Sequence, residues 1–391
     1  MIREFLKNRA ENLLSAHFGL QNFAASIVNI FFGVYLYQIG IPLWEIFLIW
    51  GITFFTRCLL RPVVLPLYFR YGVRRMLIIG IICNAISFLA LERVTEVGIW
   101  LGIFMLLVAI TDIFYWTAFH LYFALLGENM RRGKQVAIRN CMEFLSSFLA
   151  PLVSAILIVK INFSAIFWVG AGFLFLSGIP LFFVPDVELP EPQKFFPAVK
   201  IIEKSGFWLF FMDAIFSQAH GFTWTLVLFI FVGKYLTFGG LLSLAVLFQM
   251  IAALFLGQRF DRGNGKKLVP LGVILLTLTV FGRVFMTASI PAIIFFDVLF
   301  ILGFLLLYPF YLATFYNAVK SSRHPLYFQV VAESGWDMGS VIITGFASVF
   351  LYLGGDLKYI MLFGIFGLFG VAFVLKRYFL QHSEKTSDLI L

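Results

Sequence analysis

Two stretches carry acids and imidazoles at helical spacing. Asp213, Ser217, His220 and Trp224 follow at intervals of four, three and four residues, which would set a carboxylate, a hydroxyl, an imidazole and an indole on one helical face. Asp112, Trp116 and His120 repeat the pattern at four and four. A carboxylate that is desolvated in one state and wet or paired in another can carry a proton, and so can a histidine near neutrality. A lone histidine among apolar residues more commonly serves as a hydrogen-bonder between helices. The aligned acids are what bring proton transfer into view, with Asp112 and Asp213 as its candidates. No H-E-x-x-H or other metal spacing accompanies them, and there is no phosphate-cradling G-x-x-x-x-G-K-[ST] loop. Neither metal, cofactor nor nucleotide is implied.

The elements that must position these groups are membrane helices. Of 391 residues, 61% are hydrophobic and 13% charged, whereas roughly a quarter are charged in soluble domains. The apolar residues come in runs long enough to cross a ~30 Å hydrocarbon core as helices, without the ten-residue alternation of a membrane barrel. The breaks predict twelve spans, near 14–38, 43–68, 76–92, 97–124, 137–159, 163–184, 207–232, 238–257, 268–289, 291–316, 327–353 and 358–379. The fold class is therefore all-α, integral to the membrane. A short polar lead and no small-residue cleavage site precede further spans, so the first helix is expected to stay.

Lysine and arginine set the orientation. With a cytoplasmic N-terminus, 22 of the 29 fall in inside segments, four in outside loops and three, Arg57, Arg61 and Arg283, within spans. Both termini are expected inside, in a plasma membrane such as a bacterial inner membrane. The net charge of +9 is then a topology signal and an attraction to anionic lipid, with no basic stripe for nucleic acid. Cys58, Cys83 and Cys141 are too scattered for a metal site and read as small core residues, and most of the 51 phenylalanines as lipid-facing.

Charges inside the hydrocarbon layer are costly and call for partners. Arg57 lies about fourteen residues into the second span and Asp112 about fifteen into the fourth, both counted from outside, so at ~1.5 Å per residue they share a depth and should pair. Arg283 and Asp297 stand seven residues either side of Ile290, at the turn between spans nine and ten, and could pair likewise.

The chain repeats itself. Gly72, Arg74 and Arg75 recur as Gly265, Lys266 and Lys267, and the segment from Gln135 recurs loosely from Gln329, at offsets of 192 to 194 residues. Six spans map onto six, residues 1–184 and 207–391, with the polar segment 185–206 as a cytoplasmic linker. The loop between spans eight and nine, with Gly257, Asp261, Arg262, Gly265, Lys266 and Lys267, resembles the signature loop of the major facilitator superfamily. The loop after span two keeps Arg70, Gly72, Arg74 and Arg75, but has Leu65 in place of the first glycine and Phe69 in place of the acid.

That resemblance implies two pseudo-symmetric six-helix bundles and secondary transport by alternating access. It also sends spans 1, 4, 7 and 10 to a central cavity, and with them Gln21, Asn22 and Asn29, the Asp112 and Asp213 faces, and Tyr308 and Tyr311. Glu143 and Asp337, at matching repeat positions, are expected near the inner ends of spans five and eleven as gate contacts to the basic loops. Ser146, Ala150, Pro151, Ser154 and Ala155 have the spacing of the superfamily's antiporter motif with its glycines replaced, and close helix packing accounts for them equally well. The expected function is movement of a small solute, with proton-coupled efflux as one form and uniport or symport of a sugar or other metabolite as another. An integral-membrane enzyme and a non-transporting membrane partner or sensor are the readings of other classes. The expected partners are the solute, protons and lipid, and the chain is expected to act as a monomer.

Overall fold

The computed structural model describes residues 9–126, 132–187, 189, 202, 204–260, 265–286 and 289–381. Within them are twelve helices long and apolar enough to cross a membrane. They are α1 (Arg9–Gln38), α2 (Leu43–Tyr71), α3 (Val73–Glu92), α4 (Ile99–Leu126), α5 (Arg132–Lys160) and α6 (Phe163–Gly178), then α7 (Ser205–Val232), α8 (Tyr235–Phe260), α9 (Gly265–Phe285), α10 (Ile290–Ser321), α11 (Pro325–Tyr352) and α12 (Ile360–Gln381). Each expected span has its helix. In a hydrocarbon layer the backbone must satisfy its own hydrogen bonds, and a continuous helix does so.

Helices pack where small residues let backbones approach. In α11, Gly335 and Gly339 lie one turn apart against α7, where a β-carbon on either would collide with the Phe207 or Phe211 carbonyl oxygen. Large apolar side chains on outer faces, Val63, Phe182, Phe366 and Phe373 among them, are 66 to 69% exposed, as lipid contact requires. The lipid-facing reading of phenylalanine holds only in part, since Phe31, Phe47, Phe88, Phe119, Phe167 and Phe238 are fully buried core residues.

One helix departs from regular geometry. Between Ser217 and Phe222, α7 widens into a π turn. The extra residue rotates everything beyond it by about 100° relative to a regular helix.

The two bundles meet along seams. Helices α2 and α11 touch from end to end: the Trp44 and Tyr352 rings are 5.4 Å apart at one end, and those of Phe69 and Tyr327 are 5.9 Å apart at the end nearer the 185–206 segment. Helices α5 and α8 form a second seam of small residues, where Gly239 lies against the Pro151 carbonyl and Ala155.

Candidate functional site

The α2–α11 seam carries a buried charge network at its middle. Arg61 donates through Nε (2.8 Å) and Nη2 (2.5 Å) to Asp337 Oδ2, and through Nη1 to Thr117 Oγ1 of α4 at 3.3 Å. One helical turn earlier, Arg57 donates to Asp112 Oδ2 of α4 at 2.9 Å and stands 2.8 Å from Asp337 Oδ1. Glu333, one turn before Asp337, lies 3.7 Å from Arg61 and 3.9 Å from Arg57. Its Oε1 accepts from Gln329 at 3.0 Å and is 3.9 Å from His120 Nε2. The His120 ring completes the set, with Nδ1 at 3.1 Å from the Tyr316 hydroxyl of α10 and its face stacked near Trp116.

Three carboxylates thus face two guanidinium groups. Arg57, Arg61, Glu333 and Asp337 are each at most 4% exposed. Charges this deep persist only when paired. The network can hold the halves together at mid-membrane, and a proton on Glu333 or His120 would balance the surplus acid.

The expected Arg57–Asp112 pair is present. Asp337 is a correction: it does not reach the basic loops from the inner end of α11 but lies twelve residues into that helix, fully buried against α2. The span expected from 327 starts at Pro325, so Asp337 is well inside the helix by either count, and its placement near the inner end overlooked that. Arg61 and Glu333 had no assigned role, and both belong to the network. Extending the depth argument across the repeat, from α2 to α11, would have found them.

The α7 face is split. Asp213 accepts from Ser217 at 3.4 Å and is hydrogen-bonded to Tyr311 of α10, whose ring stacks on Tyr308. His220, within the π turn, and Trp224, just beyond it, do not join this cluster. They meet Arg283 instead: its Nη1 is 2.9 Å from His220 Nε2, and its guanidinium lies 4.2 Å over the Trp224 ring and 4.9 Å over Phe300. Arginine only donates, so Nε2 of His220 accepts and its proton sits on Nδ1. Arg283 also bonds Asp297, the second expected pair.

On α1, Gln21 is buried, and Asn22 donates to the Glu143 carbonyl (3.3 Å) and to Ser147 Oγ (3.2 Å), which ties α1 to α5. Asn29 is exposed. Glu143 sits eleven residues into α5, at the start of its apolar stretch Met142–Lys160. Ser146 and Ser154 donate to the Gly19 and Ile27 carbonyls of α1, so the antiporter-like spacing serves packing here.

The loop after α2 is latched by an acid that its own sequence lacks. Gly72 turns at φ +82° between α2 and α3, and Asp186 approaches so closely that a β-carbon there would strike its carboxylate. Asp186 Oδ1 accepts from the Arg74 backbone N–H (3.1 Å) and the Tyr122 hydroxyl (3.0 Å), capping the positive end of α3, while Arg74 Nη1 donates to the Val184 carbonyl. Arg70 lies over the Tyr71 ring, and Arg75 begins α3 beside Arg74. In the other loop, Asp261 and Arg262 lie outside the described residues, as do the surroundings of Gly257, Gly265, Lys266 and Lys267.

A family model, the Major Facilitator Superfamily, matches residues 13–325. The chain belongs to that superfamily. Its members are transporters rather than enzymes, and the fold agrees. The human organic anion transporter MFSD10 (TETRAN) superposes with a TM-score of 0.70 at 14% identity, over 94% of this chain and 99% of that one. A mutant of the peptide transporter POT does so with 0.68 at 14%, over 97% and 96%. No curated protein matches in sequence.

Proposed function

We propose that this protein is a secondary transporter that moves a small solute across the plasma membrane by alternating access, with proton coupling at the α2–α11 seam. Its two halves, residues 1–184 and 207–391, are joined by 185–206 on the cytoplasmic side, where both termini also lie.

The network of Arg57, Arg61, Glu333 and Asp337 carries this reading. A buried ion pair is seldom better for stability than a well-packed apolar contact, so a permanent seam has no need of one. Ionic contacts differ in that entering water or a proton can replace them, and a seam that opens by turns requires this. Asp112 and His120 link the network to α4, and Tyr316 links it to α10, so four helices respond together. Asp213, with Ser217 and Tyr311, is a second acid available to the solute path.

Spin labels replacing Trp44 and Tyr352 at one end of the seam, and Phe69 and Tyr327 at the other, test it in lipid bilayers. Each pair should show a short and a long distance, with lengthening at one end accompanied by shortening at the other. A single short distance at both ends, at every pH and with every solute tried, would overturn the proposal. The orientation has its own check: a cysteine in 185–206 should be shielded from an impermeant thiol reagent in intact cells, and one near Lys234 labelled. The opposite pattern reverses the topology.

A further inference from the structure

A cleft of about 520 Å³ opens between the start of α7 and the end of α12, away from the seams. Its lining is divided by chemistry. At the linker end stand Lys204, Ser205 and Arg377, and toward the membrane interior stand Trp208, Met212 and Phe373. The two cations come from different elements and are exposed, and neither has an ion-pair partner among the described residues. Trp208 and Phe373 are 47% and 66% exposed, so the apolar part opens sideways to lipid rather than to the solute path.

We propose that this cleft binds an anionic phospholipid of the leaflet on the linker side. The phosphate lies between Lys204 and Arg377, over the first turn of α7, and an acyl chain runs along Trp208, Met212 and Phe373. Three features of the lipid are matched. Two cations without an ion-pair partner among the described residues, and the positive end of a helix, meet a phosphate. An indole at the boundary suits the headgroup level, where tryptophan concentrates. The trough below it is apolar and continuous with the bilayer. A free anion would use only the first of these, and a zwitterionic lipid would bring its own cation to two positive groups. The site is independent of which solute the protein moves.

Native mass spectrometry on delipidated full-length protein, titrated with phosphatidylglycerol, phosphatidylcholine or inorganic phosphate, tests the site. The wild type should retain phosphatidylglycerol in preference to phosphatidylcholine. Lys204→Ala with Arg377→Ala should weaken that binding about thirtyfold, the loss of two interfacial cations. The far-side pair Arg93→Ala with Lys358→Ala should leave it unchanged. Trp208→Ala, with both cations kept, should weaken phosphatidylglycerol but not phosphate. Equal losses in the two double variants would mean a generic basic fringe, and phosphate binding as tight as phosphatidylglycerol would mean a free-anion site. Either result overturns the proposal.

Discussion

Replacing Arg61 with alanine should destabilise the protein by about 3 to 5 kcal/mol, because it leaves a fully buried carboxylate short of its main partner. Arg61 is 1% exposed and makes two of the hydrogen bonds to Asp337 and one to Thr117. Without it, Arg57 must serve Asp112 and Asp337 alone, and Glu333 loses its nearer cation. The asymmetry of buried pairs supplies a control. Arg61→Met combined with Asp337→Leu removes both charges and fills their space, so most of the lost stability should return, although a seam without exchangeable contacts should open less readily. Thermal unfolding of the three proteins in one lipid mixture decides it. If Arg61→Ala unfolds at the wild-type temperature, this pair does not hold the seam.

Glu333→Gln should remove most of the response of the two states to pH. Glu333 faces Arg57 and Arg61 of α2, Asp112 and His120 of α4, and Gln329 and Asp337 of its own helix. With three acids against two arginines, the closed seam accommodates one proton more than an open, wet one does. Linkage then fixes the sign: acid favours closure in the wild type, by up to about tenfold per pH unit for one linked proton. Glutamine keeps the shape and the hydrogen-bonding capacity but cannot titrate, and it leaves two acids facing two arginines. Label distances across the seam should shift with pH in the wild type and scarcely in the variant. An unchanged pH response in Glu333→Gln would put the proton elsewhere, with Asp213 the next carboxylate to test.

Much of this architecture is legible in the sequence because the bilayer imposes simple rules. Span length and the burial cost of charge located twelve helices and two ion pairs, since Arg57 and Asp112, or Arg283 and Asp297, share a depth within one half. The network across the halves was harder to see: Arg61 and Asp337 are 276 residues apart, and depth alone does not say which helices are neighbours. The π turn left no sequence signal, and helical spacing alone did not show that Asp213 and His220 serve different clusters, one with Tyr311 and the other with Arg283. Asp186 was hidden for a similar reason, since the acid that latches the first loop comes from the segment after α6 rather than from the loop itself.

The two seams are unlike each other, with charges joining α2 to α11 and small residues joining α5 to α8. An electrical response would therefore be concentrated in the first. Arg57 and Asp337 lie near the middle of their helices, where a charge feels about half of the membrane potential. Moving one elementary charge to that depth against 100 mV is worth about 1.2 kcal/mol, roughly a sevenfold change in a two-state balance. A proton that reached Glu333 from one side would thus bring the voltage into the equilibrium along with the pH difference, even before any solute bound.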